Sequence, residues 1–192
     1  MNTRTLGTLA MVCAPALLVE TLVAGGREMP LVTGIASMIF MFGSFCSHIG
    51  LWRLAATGKR WWGRAVLGIE LGLVFLAFLF GLFEATGSLG ENNIIWNVTN
   101  IAWPLSMVFM LVVGVTAAVV GRLPVPYRFV PLLCGLAFPI SILIAVASGA
   151  GMDDQIIALT FFSMTTVFWF LLGLAVRQSD AVPDAALERR LA

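Results

Sequence analysis

Residues 43–72 read GSFCSHIGLWRLAATGKRWWGRAVLGIELG. One apolar run ends at Trp52. A turn carrying Arg53, Lys59, Arg60 and Arg64 follows, and a second apolar run opens at Ala65. The pattern is that of a membrane hairpin: two helices that bury apolar side chains in lipid, joined by a basic turn at the headgroup level. The stretch also gathers the rare residues. It contains the only histidine, His48, the only lysine, Lys59, and three of the six tryptophans. It holds Glu70, a carboxylate set inside an apolar run.

The rest of the chain repeats this design. It has 192 residues, 60% of them hydrophobic and only 11% charged, with a mean hydropathy of +1.00. Soluble domains carry roughly 25% charged residues, so this composition cannot supply a polar shell and points to lipid as the solvent. Runs of apolar residues bounded by charge or turn signals predict six spans, at about 5–24, 30–52, 65–86, 94–120, 129–148 and 156–176. The expected fold is an all-α integral membrane bundle of six transmembrane helices (1–177), followed by a polar tail at 178–192. Pro30 opens the second span at a position proline favours, and Pro104 and Pro139 fall inside the fourth and fifth.

The charges support the same count without reference to hydropathy. Arg4, Arg53, Lys59, Arg60, Arg64, Arg122, Arg128, Arg177, Arg189 and Arg190 fall on one side of a six-span chain, and only Arg27 falls on the other. The positive-inside rule then places both termini in the cytoplasm, which fits an inner (plasma) membrane protein. The opposite turns carry Glu28, Glu91, Asp153 and Asp154. The first span has an arginine before it and small residues after it, as a signal peptide does. Its length and its internal Glu20 fit a retained helix better.

Intramembrane ionisable residues are functional candidates by default. Glu70 is six residues past Arg64, about 9 Å into the bilayer, and His48 is five residues before Arg53, about 7–8 Å in. On antiparallel neighbouring helices they lie at similar depth. Two readings follow. The side chains meet and form a proton-handling pair, or His48 bonds a backbone carbonyl near the headgroups while Glu70 pairs with Arg53 or Arg64. Glu84 returns to within about 40° of Glu70 on the helical wheel, with Ala77 and Gly81 on the same face. Gly68 and Gly72 lie opposite, which predicts a third span packed on both sides and central in the bundle.

A second polar group lies toward the other membrane face. Glu20, Glu84, Asn97 and Asn100 fall at similar height and are expected to line a pocket with Trp96, Trp103 and Pro104. The competing reading is ordinary interhelical hydrogen bonding and interfacial tryptophan anchoring. Thr160, Ser163, Thr165 and Thr166 make the sixth span mildly polar. Such residues usually satisfy themselves on the helix backbone.

Several activities are set aside. Cys13, Cys46 and Cys134 are far apart in sequence and match no metal or redox spacing. One histidine cannot build a bis-histidine site, so neither a metal nor another cofactor is expected. No phosphate-cradling glycine loop, HExxH or GxSxG motif is present. No nucleophile, base and orienting group recur together, so the chain is not expected to be an enzyme. Nor is nucleic acid expected as a partner. Its expected surroundings are the lipid bilayer and either further copies of itself or a partner membrane subunit. The first reading of function is a non-catalytic accessory, assembly or regulatory component. The rival is a small-solute or proton-linked permease or channel using His48, Glu70, Glu84, Glu20, Asn97 and Asn100.

Overall fold

A computed structural model describes residues 1–25, 27, 29–90, 92–149 and 154–179. The polar tail, apart from its first two residues, and the acidic residues Glu28, Glu91 and Asp153 lie outside that set. The described chain is helical: α1 (Thr3–Cys13), α2 (Ala16–Ala24), α3 (Pro30–Arg53), α4 (Trp61–Thr86), α5 (Ile94–Val120), α6 (Val130–Ser148) and α7 (Gln155–Ser179). A 3-10 turn, Tyr127–Phe129, leads into α6. With α1 and α2 taken as one broken span, six helical segments are long and apolar enough to cross a membrane. This is a multi-pass, all-helical bundle with no strand among the described residues.

Local chemistry sets the helix ends. The Asn2 side chain accepts from the Thr5 backbone N–H at 2.8 Å and so caps α1. Asn93 caps α5 through the Ile95 N–H, and Asp154 caps α7 through the Ile156 N–H, both at 2.8 Å. Pro15 interrupts the first span because it has no N–H to give to the preceding turn. Thr166 of α7 donates to the Ala14 carbonyl beside this break at 3.4 Å. The third span, α4, starts at Trp61, four residues before Ala65, so Trp61 and Trp62 form its first turn.

The helices pack in chain order, and α7 closes the ring against α1 and α2. Glycine makes the closure close. A Cβ on Gly7 would sit 2.4 Å from the Gly173 carbonyl oxygen, so the two backbones touch. The α3–α4 pair is similar, with a Gly34 Cβ placed 2.5 Å from the Ala85 nitrogen. In lipid, where no hydrophobic force pulls helices together, such contacts supply much of the packing energy.

The central helix is α3, not the third span. It packs against α1, α2, α4 and α7, and His48 on it reaches Met110 on α5. Its best 18-residue window is 44% buried, against 33–39% for the other spans. The expectation of a doubly packed α4 fails at Gly68 and Gly72. Both are exposed, and a Cβ on Gly72 would meet nothing within 4 Å. That small-residue face is open in the single chain, and α4 uses only its other face, against α3 and α5.

Candidate functional site: a sealed histidine–glutamate pair

His48 on α3 and Glu70 on α4 come together. Nε2 of the ring is 3.6 Å from Oε1 of the carboxylate, and neither residue exposes any surface (0% each). That separation is longer than a hydrogen bond and within ion-pair range. The other ring nitrogen, Nδ1, lies 2.6 Å from the Ser44 carbonyl oxygen one turn back on α3. A carbonyl can only accept, so Nδ1 carries a hydrogen and Nε2 is the atom turned to Glu70 and to Met110 Sδ, 3.2 Å away.

A third helix completes the site. The Ser106 hydroxyl on α5 donates to Glu70 Oε1 at 2.7 Å. Ser106 and Met110 are one turn apart, so a single face of α5 meets both members of the pair. The polar cluster thus ties α3, α4 and α5 at one level. Glu70 Oε2 and the Ser44 hydroxyl are buried nearby with no hydrogen-bond partner.

The chemistry follows from the enclosure. A pair consisting of imidazolium and carboxylate carries no net charge. Neither does a pair of neutral ring and carboxylic acid. Each arrangement holds one dissociable proton beyond the Nδ1 hydrogen. Any other proton count leaves a net charge where no water reaches, which is costly. Zero exposure also means that no water-sized void touches either side chain, so no hydrated path runs through the pair in this conformation.

Ser106 and Met110 were not singled out from sequence. Ser106 is the one hydroxyl in the apolar stretch 103–113, yet serine in a membrane helix normally bonds its own backbone. Here the hydroxyl goes to a neighbouring helix instead. Ser141 on α6 behaves in the ordinary way and donates to the Ala137 carbonyl at 2.8 Å.

The other polar candidates fall into separate places. Glu20 Oε1 accepts from the Thr33 hydroxyl of α3 at 2.8 Å. Glu84 is near enough to interact electrostatically with Glu20, and one of its oxygens, Oε2, is enclosed without a hydrogen-bond partner. Asn97 is exposed in the first turn of α5 and donates to the Asn93 carbonyl at 3.2 Å. Asn100 is half-buried. Trp96 packs on Phe80 of α4, whereas Trp103 packs on Phe138 of α6 and Phe161 of α7. On α7, Thr160 bonds its own helix, while Thr165 is buried without a hydrogen-bond partner. Cys13 and Cys46 are free thiols on α1 and α3, which meet closely there: a Cβ on Gly43 would lie 2.5 Å from the Cys13 Cβ. Among the described residues no group of three or more His, Cys, Asp or Glu side chains could hold a metal ion.

No family model, curated protein or solved structure matches the chain. The reading of function therefore rests on the geometry alone.

Proposed function

We propose that this chain is a non-catalytic component of an inner membrane, an accessory or assembly subunit whose bundle is a rigid scaffold for a partner transmembrane helix. The observation that carries the reading is the complete burial of His48 and Glu70. The two residues best suited to a permeation path are instead spent on joining three helices, and Ser106 is recruited to the same task. The sidedness of Arg4, the α3–α4 turn, Arg122, Arg128 and Arg177 supports cytoplasmic termini.

The partner reading has a second support. Where Pro15 breaks the first span, a groove of about 410 Å³ opens between α1, α2 and α3. Its walls are apolar, with Val12, Val19, Val23, Ile35 and Ile39 facing outward and the Glu20 carboxylate set among them. The Thr33 and Thr21 hydroxyls donate to its two oxygens, at 2.8 and 3.4 Å, but no cation among the described residues pairs with it, and a carboxylate beside a lipid-facing wall favours one. A partner helix bearing a cation would fit that demand.

Two measurements test the reading. Proteoliposomes with an internal pH-sensitive dye should show no proton flux above empty vesicles across a panel of small solutes. Flux that Glu70→Gln abolishes would replace this reading with the permease. In its native membrane the protein should run in an assembly larger than the monomer. Val19→Trp, which fills the groove, should release it as a folded monomer, and an assembly indifferent to Val19→Trp would count against the groove.

A further inference from the structure

The basic turn between α3 and α4 is more than a marker of sidedness, because it is built as a fixed scaffold. Past Arg53 the chain folds back under its own helix. The Ala56 N–H donates to the Leu51 carbonyl at 2.9 Å, and the Gly58 N–H donates to the Ala55 carbonyl at 2.8 Å. Ala56 is 0% and Thr57 3% exposed, so the middle of the turn is core. The Thr57 hydroxyl then donates to the Gly63 carbonyl at 2.8 Å and fastens the turn to the first turn of α4. The approach is so close that a Cβ on Gly63 would lie 2.1 Å from the Thr57 carbonyl oxygen. Gly58, at φ 102°, makes the reversal that leads into Lys59.

Two cavities flank this scaffold and share Thr57, Gly58 and Lys59. One, about 290 Å³, is lined by Arg53, Lys59 and Arg64, with Trp52 and Leu67 on its membrane side. The other, about 480 Å³, is lined by Lys59, Arg60 and Trp62, and runs on along Val115 and Val119 of α5. Neither contains a carboxylate. Lys59, Arg60 and Arg64 have no ion-pair partner among the described residues, since the one ion pair there joins His48 and Glu70. Four cations therefore line a turn fastened by its own hydrogen bonds, with no carboxylate paired to them among the described residues; Arg53 also donates to the Met1 carbonyl.

We propose that the α3–α4 turn binds the phosphate of an anionic phospholipid, with Lys59 shared between its two cavities and Arg53, Arg60 and Arg64 completing them. Phosphate oxygens are the acceptors that converging Arg and Lys donors suit. A soluble phosphate would offer the same oxygens. The lipid is favoured because each cavity continues from cations at the interface onto apolar side chains, Trp52 and Leu67 on one flank and Val115 and Val119 on the other. A free anion has no use for those walls, and an acyl chain does. Basic cavities between helix ends at the headgroup level take anionic lipid in this way.

The test is native mass spectrometry of the full chain released from detergent, titrated with phosphatidylglycerol, phosphatidylcholine or inorganic phosphate. The expected result is at least tenfold tighter binding of phosphatidylglycerol than of phosphatidylcholine. Lys59→Gln and Arg64→Gln should each weaken it roughly fivefold. Arg177→Gln, on the same membrane face but outside both cavities, should leave it unchanged. Equal binding of the two lipids would overturn the proposal. So would a loss in Arg177→Gln as large as that in Arg64→Gln, because the effect would then be diffuse charge. Displacement of the lipid by millimolar inorganic phosphate would overturn the lipid assignment in favour of a soluble anion. Unchanged ion mobility of the charge variants, measured in the same experiment, separates lost binding from lost fold.

Discussion

The His48 imidazole and the Glu70 carboxylate meet 3.6 Å apart across α3 and α4, with no surface of either open to solvent. They form the one ion-pair contact among the described residues, so the way one is removed decides the outcome. Glu70→Ala leaves a cavity, an unpaired Ser106 hydroxyl and a stranded imidazole, and should cost about 3–5 kcal/mol. Glu70→Gln keeps the shape and an acceptor for Ser106, and should cost about 1 kcal/mol. Thermal unfolding in a mild detergent reads both. Equal midpoints for the two variants would mean that the pair does not hold the helices.

Ser106 acts only through Glu70, which makes its effect conditional. Ser106→Ala should lower stability by about 1 kcal/mol in the native chain. In a Glu70→Ala background the same change should do almost nothing. A double-mutant cycle measures this coupling. Ser141→Ala is the comparison, since that hydroxyl bonds its own helix and should be close to neutral. Additive effects of Ser106→Ala and Glu70→Ala would contradict the geometry.

The glycines divide sharply by location. Gly173→Ala places a methyl against the Gly7 carbonyl oxygen at 2.8 Å, and Gly7→Ala places one against Gly173 at 2.4 Å. Both force α1 and α7 apart and should destabilise by about 1–3 kcal/mol. Gly72→Ala meets nothing within 4 Å and should be neutral or stabilising by up to about 1 kcal/mol through helix propensity. Unfolding midpoints for the three variants should fall on opposite sides of the parent. A destabilised Gly72→Ala that still folds would instead reveal that its face is covered by another helix in the assembly.

Sidedness can be read by thiol labelling, because Cys46 and Cys134 are buried and Cys13 is half-buried. Lys59→Cys and Gly90→Cys each place a new thiol at an exposed position, one at each end of α4. With cytoplasmic termini, an impermeant maleimide should label Lys59→Cys only in inverted vesicles and Gly90→Cys only in right-side-out ones. Labelling of both from one side would break the six-span alternation, and the reverse pattern would invert the orientation.

Hydropathy and loop charge made the six spans legible, because a bilayer imposes length and sidedness on every helix. The similar depth of His48 and Glu70 was legible for a related reason, since a short turn fixes the depth of both its flanks, but depth alone leaves open whether the side chains meet. What sequence could not give was the third partner. Ser106 lies 36 residues from Glu70, and its hydroxyl carries no mark of whether it serves its own helix or another. The centre of the bundle was misread for the same reason. Gly68 and Gly72 have the spacing of a packing face, but spacing does not say whether a helix lies opposite. The groove beside Glu20 was equally hidden, because it depends on the angle that Pro15 gives the first span.

The contact between Gly7 and Gly173 also has a meaning in time. These residues are separated by almost the whole described chain, yet their backbones touch. During synthesis α1 is made well before α7, the helix that covers its glycine face. Until α7 is released, that face must rest against lipid or against a transient helper. The seam between α1 and α7 therefore closes only after α2 to α6 have been made, and a chain stalled before α7 would leave the Gly7 face bare.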